Sequence, residues 1–467
     1  MDKLLYKTTV ELRDLYLKKQ VSPVDVVDAM FKRVEATHPK YNFMASVNHE
    51  KTLRLAKQAE TAYLSGGENI PYLTGIPVTI KDNIPLEGEP YTDGSYAYKD
   101  RIADHTALLA QRLLDAGAIN VIKTTLPEFC HKMITDSPLF GYTRNPFNPD
   151  YSPGGSSGGA VTSLALGIGT MAIGSDGGGS IRCPASCTNV VGLKPTTGSI
   201  PAEDWNDTFG TYPMKGSIAR TVTDCATLFS VMSGPNAADL WSHFDTKFPL
   251  KDALNLEGKV KGLKIAYIEK FGPGPIHEDV SKLCRKTLKY FSDAGAHVEE
   301  VPGDIFYHVG EFFIMTHTIG HAAHLGKYVK DYAEHMSLTL LDCIAQGKTY
   351  TAVEYQWAID QRTLLWRNVE KIFTQYDVII SPTLSEPLQK VTSGAAMNSK
   401  LFTTWCPYLY PFNLTGNPAL SVPVGLSQEG FPVGMQLVGP WFSEKRLFEI
   451  AKYIEDHQPW SQLYPKL

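Results

Sequence analysis

Apolar positions recur with helical spacing in "SPVDVVDAMFKRVEA", where Val26, Val27, Met30, Phe31 and Val34 share one face. Ser22 can cap this helix and Pro23 suits its first turn. The short run "LTGIPVTIKDN" reads as a strand after a turn, with Lys81 at its far end. "HTALLAQRLLDAGAINVIKTT" then reads as a helix closed by Gly117, followed by a strand over 119–123. Strand, helix, strand predicts a βαβ unit. The pattern returns over 262–301 in "GLKIAYIE", "VSKLCRKTLKYFSDAG" and "AHVEEV". "DVIISP", "ALSVPVG" and "GMQLVGP" read as further strands, and "SEKRLFEIAKYIEDH" as a closing helix. The expected fold class is α/β, one domain over 1–467 built on a large mixed sheet. No repeat of fixed period and no linker-like segment interrupts it. A less regular helical stretch at about 305–375 is expected to form a lobe within that domain.

Composition narrows the class. Hydrophobic residues are 43% and charged residues 20% of the 467, so a packed core is expected. The net charge of −5 gives no basic surplus, which argues against a nucleic-acid binder. Seven cysteines without framework spacing read as reduced thiols of a cytoplasmic protein. The first twenty residues carry charges throughout, unlike a secretory signal, and no apolar run suits a membrane span.

The stretch "SPGGSSGGAVTSLALGIGTMAIGSDGGGSIRCPASC" carries the chemistry, with bursts of small residues at 154–159 and 174–180. A solvated linker would not hold Leu164, Leu166, Ile168, Met171 and Ile173 between them. No phosphate-loop pattern is present. Residues 154–158 match GxSxG, but the proline-rich "YTRNPFNPDYSPGG" before them is a loop, whereas a nucleophile elbow follows a strand. In the second burst a strand over 170–174 runs into Gly177, Gly178, Gly179 and Ser180. Three glycines let the backbone turn tightly and aim successive N–H groups at one point, as an oxyanion requires. Ser180 can then be a nucleophile. A tight turn without chemistry fits the same residues equally well.

A nucleophilic serine needs a base. His317, His321 and His324 share one helix face, which suggests a metal site, but a pocket wall fits better because no carboxylate ligand accompanies them. Lys81, at the end of an apolar strand, can serve instead if burial lowers its pKa. On a strand its neighbour Asp82 points to the opposite face.

"GIPVTIKDN", "SPGGSSGGA", "GSDGGGSIRCPASCTNVVGLKPTTG" and "GNPALSVPVG…GFPVGMQLVGP" resemble the amidase signature family over nearly the whole chain. The resemblance implies a twisted mixed sheet with helices on both faces and a Ser–cis-Ser–Lys triad. By motif position Ser180 matches the nucleophile, Lys81 the base, and Ser156 the bridging serine on a cis peptide bond. The backbone of Gly177, Gly178, Gly179 and Ser180 matches the oxyanion hole, and Asp176 and Arg182 match positions that brace the loop. Gly177 departs from the threonine frequent in the family. The implied reaction is hydrolysis of a linear carboxamide to acid plus ammonia or amine through an acyl-enzyme, with no metal or organic cofactor.

Within the family, "TLLDCIAQGKTYTAVEYQWAIDQRTLLW" looks more like free-standing amidases than like the ammonia-releasing component of a glutamyl-tRNA amidotransferase, the alternative reading. A non-enzymatic binding protein is disfavoured because all three triad positions are intact. Cys130, His131, Met133 and Ile134, after "LPEF", are expected to line the substrate pocket with His317, His321 and Trp405. The expected partner is a small-molecule amide, not nucleic acid or a membrane. A homodimer is allowed, and nothing in the sequence requires it.

Overall fold

Lys81 and the turn before Ser180 belong to neighbouring strands of one sheet. The computed structural model describes residues 2–66, 69–204, 210, 213–242, 246–272 and 274–465. The strands of its large sheet are β1 (Met44–Ser46), β2 (Pro77–Lys81), β3 (Ile119–Thr124), β4 (Met171–Asp176), β5 (Val191–Lys194), β6 (Met214–Ala219), β7 (Lys264–Tyr267), β8 (His297–Glu300), β9 (Val378–Pro382), β10 (Ala419–Leu426) and β11 (Pro432–Val438). They join in the order β1-β3-β2-β4-β6-β5-β10-β11-β9-β7-β8. β2 runs parallel to β3 and β4, and β7 runs parallel to β8 and β9. The strands between these groups pair antiparallel, so the sheet is mixed.

Both expected βαβ units are present. In the first, α2 (Leu108–Asp115) connects β2 to β3 and stops short of Gly117. In the second, α5 (Glu278–Asp293) connects β7 to β8. Ahead of them, α1 (Pro23–Tyr41) starts as its sequence predicts. Ser22 accepts from the Asp25 N–H, Asp25 accepts from the Ser22 N–H, and Pro23 opens the first turn. Every residue of β2 is buried, the polar Thr79 included, whose hydroxyl is satisfied by Ser163 Oγ at 3.2 Å.

β4 is longer than the 170–174 read from the sequence. It runs to Asp176 because β6 pairs with it along its whole length, from Met171↔Ala219 to Asp176↔Met214. That partner lies outside the local pattern. The apolar run between the two glycine bursts is α3 (Gly158–Ala165) leading into β4, and the turn after β4 leads into α4 (Arg182–Cys187).

Helices cover both faces of the sheet. Over 305–375 the chain is helical: α6 (Val309–Leu325), α7 (Leu338–Gly347) and α8 (Ala352–Phe373), with α6 packed against the other two. Met336, Leu340 and Ile344 form a small apolar cluster there with Phe129, Ala322 and Leu325. α9 (Glu444–His457) closes the fold, burying Leu447, Phe448, Ile450 and Ile454. Each such side chain contributes roughly 1.5–3 kcal/mol relative to exposure. Among the described residues, no helix is long and apolar enough to cross a membrane.

Candidate active site

The carboxyl ends of the parallel strands β2 and β4 lie side by side, where open α/β sheets place their ligands. Lys81 ends β2 with no solvent exposure, and its Nζ hydrogen-bonds Ser156 Oγ at 2.6 Å and Ser175 Oγ at 2.9 Å. Asn83 Nδ2 donates to the same Ser175 oxygen at 3.0 Å. Burial pushes the Lys81 pKa down, against the opposing pull of the Cys130 thiol, Asp176 and Asp93. Asp82 faces elsewhere: its Oδ2 accepts from the Thr92 N–H and hydroxyl, and Lys123 provides its largest positive influence.

Ser156 is carried by the first glycine burst, and the Gly155–Ser156 peptide is cis. The loop passes so close to the backbone of 133–134 that a Cβ on Gly155 would lie 2.9 Å from the Met133 carbonyl carbon. Thr135 Oγ1 donates to Gly154 C=O and accepts from Gly158 N–H. The Ser157 N–H donates to Ser180 C=O at 3.1 Å, which joins the two bursts directly.

The second burst turns around one carboxylate. Asp176 Oδ1 accepts from Gly179 N–H at 2.7 Å, and Oδ2 accepts from Ile181 N–H at 3.1 Å. Gly179 has φ 121°, and a Cβ there would meet Leu409 at 2.4 Å. The Gly179 N–H is therefore spent on Asp176. This corrects the expectation that four successive N–H groups stand open. Gly177, Gly178 and Ser180 remain, with no N–H partner among the described residues. Ser180 is 2% exposed, and its Oγ lies 3.9 Å from Met133 Sδ.

Arg182 fixes Asp176 in place. Its Nε and Nη2 bond the two carboxylate oxygens at 3.0 and 2.9 Å. Its other N–H groups reach Leu409 C=O, Gln436 Oε1 and Asn413 Oδ1. Burial pushes the Asp176 carboxyl up, but Arg182 and Asn413 outweigh it and hold the group well below the usual range.

The expected pocket residues divide. Met133 reaches Ser180, and Cys130 is half-buried near Lys81, with Asn83 Nδ2 3.5 Å from its Sγ. His131 is not free to meet a ligand. Its ring nitrogens bond Glu128 C=O and Thr339 Oγ1, each at 2.7 Å. Trp405 is buried with its indole N–H on Glu386 C=O, so it serves as core with no spare donor. Ile134 is likewise core. His317 and His321 lie on α6, their ring centroids 4.3 Å apart. Sequence reading passes over Ser175, Asn83, Asn413 and Gln436. Ser175 is visible as a polar residue two positions beyond Ile173, directly before Asp176, while Asn413 and Gln436 are over 200 residues from Arg182 and leave no local signal.

Comparisons with known proteins give the family to which a chain with this arrangement belongs. The chain matches the Amidase family over residues 25–448 and belongs to the amidase signature family. It is 32% identical to an acylamidase of Rhodococcus erythropolis, over 99% of this chain and 98% of that one. It is also 32% identical to the A-type subunit of the glutamyl-tRNA(Gln) amidotransferase of Caldanaerobacter subterraneus, over 97% and 96%. The crystal structure of a bacterial aryl acylamidase superposes with a TM-score of 0.90 at 28% identity, covering 98% of each chain.

Proposed function

We propose that this protein hydrolyses a linear carboxamide to a carboxylic acid and an amine or ammonia, with Ser180 as nucleophile, Ser156 as proton relay and Lys81 as base. The observation that carries this reading is the buried Lys81 Nζ 2.6 Å from Ser156 Oγ, at the strand end beside the Ser180 turn. A neutral Lys81 amine donates to Ser175 and accepts the Ser156 proton, while Ser156 accepts the proton of Ser180. Ser180 Oγ bonds to the amide carbon, and the carbonyl oxygen gains the negative charge. The N–H groups of Gly177, Gly178 and Ser180 stabilise it. The proton returns through Ser156 to the nitrogen, the C–N bond breaks and the amine leaves. Water then adds to the carbonyl carbon of the Ser180 ester and gives a proton to the same relay; the C–Oγ bond breaks, the relay returns that proton to Ser180 Oγ, and the acid leaves. The Asp176–Arg182 pair keeps the turn in shape without exchanging protons.

The purified chain alone is expected to turn over simple or aryl amides. Ser180→Ala should lower kcat by about 10^4-fold to 10^6-fold, with the fold intact by circular dichroism. A Ser180→Ala enzyme with full activity would remove the nucleophile assignment. The second reading, the ammonia-releasing component of an amidotransferase, is favoured by the second relative. It predicts glutamine hydrolysis that appears only with partner proteins. The relation to an acylamidase in both sequence and structure supports the free-standing reading.

A further inference from the structure

Helix α6 lays a row of rings against the catalytic turn. Phe313 packs on Gly178 so closely that its Cζ lies 2.7 Å from where a Cβ on that glycine would be. One helical turn further, the His317 ring follows Phe313 with centroids 5.4 Å apart and planes 14° apart. His321 follows His317 at 4.3 Å. Phe402 and Tyr410 flank Phe313 at 5.7 and 4.9 Å, so the wall at the turn end of the row is aromatic.

The histidines here differ in how their nitrogens are satisfied. His131 uses both of its own on protein atoms. His321 donates Nδ1–H to the His317 C=O at 2.9 Å. His317 Nε2 is shielded from solvent and has no partner among the described residues, although the residue as a whole is only half-buried. A buried, unpaired ring nitrogen is costly unless a ligand pairs with it.

We infer that His317 is a specificity residue whose Nε2 hydrogen-bonds an uncharged polar group on the substrate, such as a hydroxyl, away from the amide bond that is cut. The inference rests on the amidase reading of the cleft. His317 stands one helical turn beyond Phe313, which packs on Gly178 of the turn, and the rings placed against it, Phe313 and His321, carry no charge that a charged substituent could pair with. An ammonium or carboxylate would lose its water without gaining a counter-ion. The ring itself is neutral: burial, and then the neighbouring His321 and His131, push its pKa well below 6.5. The favoured substrate class is thus an aryl or alkyl amide with a neutral hydrogen-bonding substituent. A zwitterion such as glutamine falls outside it.

The test uses two matched pairs of anilides, each exchanging a hydroxyl for a methyl. One pair varies the acyl group (3-hydroxypropanoyl against butanoyl), and the other the ring (4-hydroxymethyl against 4-ethyl). A hydroxyl donates and accepts, so it serves either tautomer of the ring. In one pair the full-length wild-type chain should prefer the hydroxyl member over its methyl isostere by about tenfold to a hundredfold more than His317→Phe does, the difference lying in KM. His317→Gln, whose amide reaches the Nε2 position, should restore part of that preference. His324→Phe, exposed on the same helix, should leave it unchanged. Calorimetric Kd values on Ser180→Ala should show the same preference without turnover. A chain that shows this binding preference but never cleaves would overturn the amidase reading and leave the His317 contact standing. Equal hydroxyl-to-methyl ratios in wild type and His317→Phe, or no binding of either pair by Ser180→Ala, would overturn the contact.

Discussion

Lys81 can act as a base only in the state that solvent normally denies it. Its ordinary pKa is 10.5, and burial lowers that value in the folded chain. Between the lowered and the ordinary value, the unfolded chain holds a proton that the folded chain lacks. Stability therefore rises with pH across that window, as does the fraction of enzyme carrying a free amine. Lys123 and Lys194 are also buried and pushed down, so stability alone does not isolate Lys81. Activity does. The kcat/KM profile of the wild type should climb with pH on a limb whose midpoint lies below 10.5, and Lys81→Met should lose both the limb and most of the rate. An unchanged ascending limb in that variant would assign the titration to another group. At this scale the sequence is informative where motifs are local: Lys81, Ser156 and Ser180 each sit in a recognisable stretch. It is less so where a hydrogen bond decides. Nothing in "GSDGGGS" says that the Gly179 N–H is taken by Asp176, or that Ser175 holds the far side of the lysine.

The strip 128–133 carries Met133 to Ser180, and it is clamped from both sides. Glu128 accepts from the Ser95 hydroxyl and from the Ser337 N–H at the start of α7, each at 2.7 Å. His131 bonds Thr339 on the same helix, and the Tyr98 and Tyr328 hydroxyls meet at 2.6 Å above Phe129. Glu128→Ala leaves a buried hydroxyl and a helix N–H without their acceptor. The expected loss is about 1–3 kcal/mol in unfolding free energy. Because the strip positions Met133, KM should rise more than kcat falls. Unchanged melting and unchanged KM would show that the clamp is idle. The helices and strands around the site are readable from periodicity, since each is long enough to show its period. The clamp is not, because its partners lie about 33 and 209 residues from Glu128. The same limit explains why β4 reads two residues short, its end being set by β6.

Across the whole molecule, the turn before Ser180 is where distant parts of the chain are fastened together. Sheet order cannot be read from strand patterns, so no local feature announces that Leu409, Asn413 and Gln436 converge on Arg182. Gln436 belongs to β11, and Asp176 ends β4, so the Asp176–Arg182 pair ties the two halves of the sheet through buried hydrogen bonds. Both side chains are fully buried. Removing one partner strands the other's charge in a low-dielectric interior, and Arg182→Met should cost about 3–5 kcal/mol in urea unfolding at neutral pH. The acid limb supplies a second readout. Burial raises the Asp176 pKa, but Arg182 more than reverses it, so the folded value lies below the ordinary 3.8. The stability that this carboxylate contributes is present above the ordinary value and is lost as pH falls through the folded one. In Arg182→Met the opposing charge is gone, burial dominates, and Asp176 should take up its proton at higher pH. The difference in stability between wild type and variant should therefore be largest near neutrality and shrink as both are acidified. The double variant Arg182→Met with Asp176→Asn should cost far less than the sum of the two single changes. A difference that stays constant down to low pH would mean that Arg182 acts by packing alone, and that the charge pair does not hold the turn.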